Sequence, residues 1–259
     1  MTKYKDTDLT LLNFRDLGGL KAQDGRSIKS GRIFRTAIFE PQTKADYDLI
    51  ASMPINTIID LRSAYEIEEA KDFVPDNVEY IIAPPISDGK YAPMVPTKKR
   101  KNAILFMSNK EVKKLIPLMH EMYAYLPFAK DAYSPIFNCL NENKNFAFHC
   151  TAGKDRTGVG GMLIELALGR TYEDALSQYL LSNEKRQSWY DKTKKKVALI
   201  PTSKAKKEFA YFAMGVHKSL FDSAYNSIFD KYKTIEDFLL DVYGISKEQI
   251  DNWKNNYLE

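Results

Sequence analysis

The chain has 259 residues, of which 44% are hydrophobic and 28% charged, and its formal net charge is +4. This composition is ordinary for a folded globular protein and excludes an intrinsically disordered chain. Its two cysteines cannot supply a disulfide framework, so activity under reducing conditions is expected.

No partner class other than an anionic substrate is indicated by the charge pattern. The basic runs at 98–101 and 192–196 suit an anionic substrate, but the favoured interpretation is that both lie on a solvated helix or loop surface. Nucleic-acid binding is not expected, because no basic stripe with interleaved aromatic residues occurs. No stretch reaches the roughly 18 apolar residues of a membrane span, so no transmembrane segment is expected. The chain as given is expected to be cytoplasmic, with export possible if a leader preceded it.

Alternating apolar runs and turn signals predict four short strands, at 32–36, 57–61, 78–82 and 146–150. Helices are predicted between them, at 44–53, where Pro54 ends the helix, and at 65–71. Strands and helices that alternate in this way indicate an α/β fold with a largely parallel sheet. We expect one domain over residues 1–259.

The alternation of predicted strands and helices is interrupted between residues 87 and 135. A proline-rich loop and the first basic run are followed by amphipathic helical segments at 112–123 and 124–140, so this insertion is a candidate lid. Further helices are predicted at 159–168, which Gly169 stops, and at 172–183. The remainder is predicted to be helical and rich in lysine.

The segment around Cys150 carries the chemistry. A buried strand, a loop that opens with Cys150, and an apolar helix follow one another, and Arg156 lies six residues after the cysteine. Backbone N–H groups and a helix N-terminus directed at one point can bind a phosphate dianion, and the same field favours a thiolate. The phosphate-binding residues are predicted to be Thr151, Ala152, Gly153, Lys154, Thr157 and Gly158.

Cys150 is predicted to be the nucleophile, and the planar fork of Arg156 to hold two phosphoryl oxygens, which lysine could not do with the same geometry. His149 is predicted to orient the loop by hydrogen bonding and to favour the thiolate. Thr157 can offer its hydroxyl to the sulfur when sulfur leaves. The alternative for Cys150 is a small buried hydrophobic residue at a strand end.

Residues 149–158, His-Cys-Thr-Ala-Gly-Lys-Asp-Arg-Thr-Gly, resemble the signature loop of the protein tyrosine phosphatase superfamily, and most closely that of a bacterial branch of tyrosine and lipid phosphatases. Further matches run nearly end to end, at 13–19, 31–36, 58–63 with Glu66, 179–183 and 243–246. The resemblance implies a three-layer fold, with a mostly parallel central sheet flanked by helices and a helical lid. It also implies a two-step reaction through a cysteinyl-phosphate, with inorganic phosphate as product and neither metal nor cofactor.

Three aspartates compete for the role of general acid, which protonates the leaving group. Asp155 lies inside the loop, where a bound dianion favours the protonated carboxyl, and the resemblance also points to it. Asp88 follows the third strand, at a family position once proposed as the acid. Asp60 is expected instead to brace the site together with Arg62. The acid loop of the classical enzymes, Trp-Pro-Asp, is absent.

The substrate remains open between a phosphotyrosine protein and a phosphoinositide, and phosphoserine or phosphothreonine stay possible. Lys154 makes the loop similar to that of a phosphoinositide 3-phosphatase of the same superfamily, which has glycine at the position of Asp155. A second cation suits a multiply phosphorylated head group, whereas Asp155 places a negative charge beside it.

Other polar residues are given supporting roles. Asn13, Arg15 and Asp16 can reach the pocket floor or fix the N-terminal turn. Cys139 is expected in the core. His120 and His217 show no ligand spacing, so both are read as structural and no metal site is predicted.

Two other classes of function compete with a phosphatase. A sulfurtransferase or arsenate reductase could use a loop cysteine, but the former normally lacks the Arg156-Thr157-Gly158 ending and the latter needs a resolving cysteine. A phosphate-binding pseudophosphatase or adaptor would be expected to lose Cys150 or Arg156.

Overall fold

The computed structural model describes residues 13–86, 89–94 and 103–259. Asp88 and the basic run at 98–101 lie outside these residues. The sheet has five strands in the order β1-β2-β5-β3-β4. The strands are β1 (Arg15–Asp16), β2 (Ile33–Thr36), β3 (Thr57–Asp60), β4 (Glu79–Ile82) and β5 (Phe146–His149).

Strand β5 lies at the centre of the sheet. It pairs in parallel with β2 and β3, so that His149 is aligned with Thr36 on one side and with Asp60 on the other. β4 continues the parallel sheet, and β1 is an antiparallel edge strand on β2. The loop that follows β5 therefore leaves from the middle of the carboxyl edge, where ligand sites of open parallel sheets lie.

The sheet is covered on both faces because successive strand residues point to opposite sides. Phe34, Ile58 and Ala147 face a small core with Ile50 of helix α1 (Lys44–Ser52). Phe146, Phe148 and their neighbours face the large core that the later helices build. Sheet and flanking helices therefore form three layers.

Twelve further α-helices follow α1 in the described part of the chain, with two short 3-10 segments at Gly89–Met94 and Leu126–Phe128. They are α2 (Ala64–Glu69), α3 (Ala103–Phe106), α4 (Asn109–Val112), α5 (Leu115–Tyr125), α6 (Lys130–Asn141), α7 (Arg156–Ala167), α8 (Tyr172–Lys185), α9 (Gln187–Leu199), α10 (Lys204–Met214), α11 (Lys218–Phe229), α12 (Ile235–Tyr243) and α13 (Lys247–Tyr257). Among the described residues, no helix combines the length and the apolar character needed to cross a membrane.

The structure confirms the predicted α/β fold and its mostly parallel sheet, and the four predicted strands lie within one residue of those observed. Helix α7 differs, because it begins at Arg156 rather than at residue 159. The candidate lid at 87–135 also differs. From Leu115 onward it belongs to the core, since Met119, Tyr123 and Tyr133 are buried in the main hydrophobic cluster. A covering role stays a prediction for α3 and α4.

Candidate active site

The loop between β5 and α7 directs two of its carbonyl groups toward buried donors on the side away from the cradle. The Asn13 amide donates to the carbonyl oxygens of Ala152, at 3.1 Å, and Gly153, at 2.7 Å, and Arg35 Nη2 donates to that of Gly153 at 3.0 Å. Because a trans peptide is planar, the N–H groups of Gly153 and Lys154 point the opposite way. The backbone N–H groups of residues 151–155 donate to no acceptor among the described residues. The loop is thus a cradle of backbone donors for an oxyanion.

Gly153 is required by the packing of this loop. Its φ of +62° lies in the left-handed region, and a Cβ there would come within 2.2 Å of the Thr36 carbonyl oxygen. Gly158 is crowded as well, since its Cβ would lie 2.8 Å from the ring of Tyr179. Both glycines let the loop sit directly against β2 and α8.

Cys150 lies at the base of the cradle and is 1% exposed. It precedes the N-terminus of α7, whose first helical residue is Arg156. Arg35 is fully buried beneath the loop, where burial lowers its pKa and the negative charges of Glu165 and of the Cys150 thiolate favour its charged form. The dipole of α7 and the guanidinium groups of Arg35 and Arg156 place positive potential around the sulfur.

Arg156 is held by one edge of its guanidinium. Nη1 donates to Glu66 Oε2 at 2.8 Å and to the Leu61 carbonyl at 2.9 Å, and Nη2 donates to Glu66 Oε1 at 2.6 Å. Nε and the remaining Nη2 hydrogen form the second edge of the planar fork. No described residue accepts from Nε, so this edge can bind two phosphoryl oxygens while Glu66 fixes the other.

Glu66 connects α2 to the catalytic loop. Burial alone raises the pKa of this carboxyl, but the hydrogen bonds and charge of Arg156, with help from Thr151 and Ser63, lower it from 4.5 to about 2. The same carboxylate caps α2 by accepting from the backbone N–H and hydroxyl of Ser63. A role of Glu66 in the site was not predicted, although Ser63-x-x-Glu66 is a capping-box pattern that fixes where this carboxylate sits.

Asp155 is surrounded by donors on one oxygen. Its Oδ1 accepts from the hydroxyl of Tyr123 and, at 2.8 Å, from Lys154 Nζ. Tyr123 in turn receives a hydrogen bond from Tyr179 at 2.9 Å. The side chain of Asp155 is 25% exposed, and its Oδ2 has no hydrogen-bond donor among the described residues. One oxygen is fixed, and the other is available to a leaving group. Tyr123 was not predicted to belong to the site, because its segment lies in the insertion between residues 87 and 135.

Asp60 and Arg62 form a buried ion pair behind the loop. Arg62 donates to both oxygens of Asp60 at 2.9 to 3.0 Å and also pairs with Asp72. Tyr80 donates to Asp72 at 2.7 Å. Asp60, Asp72 and His149 have the composition of a metal site, but the guanidinium of Arg62 already pairs with both carboxylates. We therefore interpret this cluster as bracing.

His149 lies fully buried between this network and the loop. Burial lowers its pKa, against the opposing charges of Asp72 and Asp60, so the imidazole is neutral at neutral pH. Its Nδ1 lies 3.4 Å from the Cys150 carbonyl oxygen. This geometry permits the predicted orienting role. Its predicted effect on the thiolate stays a prediction.

Some of the remaining predicted residues support the loop, and others have a structural role elsewhere. Asn13 reaches the loop, and Arg15 braces it by donating to the Asn13 side-chain oxygen at 2.9 Å. The buried hydroxyl of Thr157 has no partner among the described residues. Asp16 instead fixes the N-terminal turn by accepting from the backbone N–H groups of Gly18 and Gly31. Cys139 lies in the core, where burial raises the pKa of its thiol to about 11.

Comparison with known proteins assigns this arrangement to a family. The model of the tyrosine phosphatase family matches residues 9–259. A protein of Cupriavidus necator that carries the provisional name of a tyrosine-protein phosphatase is 24% identical over 242 residues, which cover 93% of this chain and 85% of that protein. A tyrosine-protein phosphatase of Nostoc commune is 28% identical over 145 residues, or 54% of this chain and 45% of that protein.

Among solved structures, the crystal structure of TpbA from P. aeruginosa aligns with 60% of this chain and 71% of its own at 13% identity. Its TM-score of 0.30 is too low to support an inference. The family match covers nearly the whole sequence, and the chain therefore belongs to the tyrosine phosphatase family.

Proposed function

We propose that this member of the tyrosine phosphatase family hydrolyses phosphomonoesters through a cysteinyl-phosphate, acting on phosphotyrosine proteins, on phosphoinositides, or on both. The observation that carries the proposal is the arrangement at the end of β5. Cys150 lies at the base of a cradle of backbone donors, and Arg156 presents a free edge beside it. This arrangement matches the needs of a phosphoryl group with three charged oxygens.

In the first step, the Cys150 thiolate attacks phosphorus and the bond from phosphorus to the leaving oxygen breaks. The N–H groups of residues 151–155 and the free edge of Arg156 stabilise the charge on the non-bridging oxygens. The leaving alkoxide or phenoxide takes a proton from Asp155. Lys154 Nζ donates to Oδ1 of this carboxyl at 2.8 Å and so holds it beside the phosphate site.

In the second step, water attacks the phosphorus of the cysteinyl-phosphate and the bond from sulfur to phosphorus breaks. Asp155, now a carboxylate, accepts the proton of the attacking water, and inorganic phosphate is released. The hydroxyl of Thr157, which has no partner in the described part of the chain, can donate to the departing thiolate. Glu66 positions Arg156 throughout, because it binds the edge that does not touch the substrate.

The proposal is tested by phosphate release from a phosphotyrosine peptide, a phosphoserine peptide and a panel of phosphoinositides. Cys150→Ser is expected to abolish turnover of every substrate. Cys139→Ser is the matched control, because this second cysteine lies in the core, and it is expected to retain turnover. Equal turnover by wild type and Cys150→Ser would refute the proposal. The ranking of the substrates decides between the protein and the lipid alternatives.

A further inference from the structure

Arg186, which follows α8, is a buried cation without a carboxylate partner among the described residues. It is 5% exposed, Nη1 donates to the Met214 carbonyl at 2.9 Å, and its guanidinium lies 4.2 Å from the ring centroid of Trp189. Its Nε is buried with no described acceptor. Burying a charge without a counter-charge costs free energy, so such a residue is expected where a ligand supplies the anion.

Arg186 lines a cavity of about 290 Å³. None of the described residues that form the walls of this cavity is acidic, and the side chains that can donate hydrogen bonds there are Asn183, Gln187, Tyr190 and Tyr211. The position of Asn183 is fixed by two hydrogen bonds of 2.9 Å to the backbone of Val216. The cavity is therefore a preformed environment that suits a negatively charged group.

The cavity adjoins the catalytic loop. Lys154 Nζ donates to the carbonyl of Gly215 at 3.1 Å, and Gly215 forms part of the cavity wall. Burial lowers the pKa of Arg186, whereas the charges of Asp155 and Cys150 raise it. Arg186 thus lies within electrostatic reach of the nucleophile.

We propose that this cavity is a second anion subsite, in which Arg186 binds a phosphate that neighbours the scissile phosphate on the same cyclitol head group. The inference rests on the proposed phosphatase function and specifies its substrate class. Phosphates on neighbouring ring carbons lie close enough to occupy two adjoining pockets. A phosphotyrosine peptide places its other charges beyond the length of the aromatic ring, so it suits this arrangement less well.

The test compares kcat/KM for two matched pairs of substrates. One pair is a short-chain phosphatidylinositol bisphosphate with neighbouring phosphates and the corresponding monophosphate, and the other is the two soluble head groups. Wild type is expected to prefer the additional phosphate in both pairs by about tenfold or more, as expected for a charge-assisted hydrogen bond. Arg186→Gln is expected to remove that preference, and Arg186→Lys to restore part of it. Lys185→Gln is the control, because it removes the same charge from an exposed residue next to Arg186. It should leave the preference unchanged.

The outcomes that overturn the inference are separate from failure of the proposed function. A wild type that turns over p-nitrophenyl phosphate but shows no preference for the bisphosphates would overturn the second subsite alone. So would an Arg186→Gln variant that loses activity on both members of each pair equally, because that result indicates a structural role. A preference confined to the lipid pair would also overturn the inference, because the subsite would then fail to recognise the same second phosphate on the soluble head group. Failure to hydrolyse any phosphomonoester would overturn the proposed function itself.

Discussion

Replacement of Glu66 by glutamine removes the negative charge from the ion pair that positions Arg156, and so measures what that pair contributes. The pKa of Glu66 is about 2, against an ordinary value of 4.5. At about 1.4 kcal/mol per pH unit this difference corresponds to about 3 kcal/mol of folding free energy. Because the folded-state pKa is the lower one, this stability is fully present above pH 4.5 and is lost as the pH falls towards 2.

Urea unfolding of wild type and Glu66→Gln across this pH range measures the effect. We expect wild type to be more stable by up to about 3 kcal/mol at neutral pH, and the difference to shrink between pH 4.5 and 2. We also expect kcat for p-nitrophenyl phosphate to fall about tenfold or more, since Arg156 loses its charged anchor. Glu68→Gln, on the exposed face of α2, is the control. A stability difference that does not depend on pH would refute this reasoning.

Three further substitutions test the loop and the acid. Asp155→Asn should depress turnover of alkyl phosphates more than that of aryl phosphates, because phenoxide is the better leaving group; the same pattern in Asp88→Asn instead would reassign the acid. Gly153→Ala should lose both stability and activity. Gly25→Ala is its control, because Gly25 also has a positive φ but has open space around it. Its unfolding curve should show only the cost of backbone strain. Tyr123→Phe should lower alkyl phosphate turnover by about threefold to tenfold through loss of a hydrogen bond to Asp155; unchanged rates would contradict its positioning role.

The fold could be predicted from the sequence where the pattern is local and apolar. Phe146, Ala147 and Phe148 indicate a buried strand, and the glycines after Cys150 mark the loop and the helix that follow. β1 was not predicted, because its two residues, Arg15 and Asp16, are polar and leave no alternation to detect. The start of α7 was placed three residues late, because the apolar pattern begins only after its first turn.

The site could be predicted only in part, because its supporting contacts join residues far apart in the chain. Tyr123 reaches Asp155 across 32 positions, and Arg156 reaches Glu66 across 90. No local pattern specifies such pairs, although a capping box already fixed the position of the Glu66 carboxylate. Burial decides the charge of His149, and burial of a single polar residue cannot be derived from sequence alone.

The most direct test of the central claim is to capture the phosphoenzyme. Rapid acid quench of wild type with excess p-nitrophenyl phosphate, followed by peptide mass spectrometry, should find one added phosphoryl group on Cys150. Cys139→Ser should be labelled at the same position, and Cys150→Ser should carry no label. Turnover without a labelled Cys150, or a label on another residue, would contradict the account.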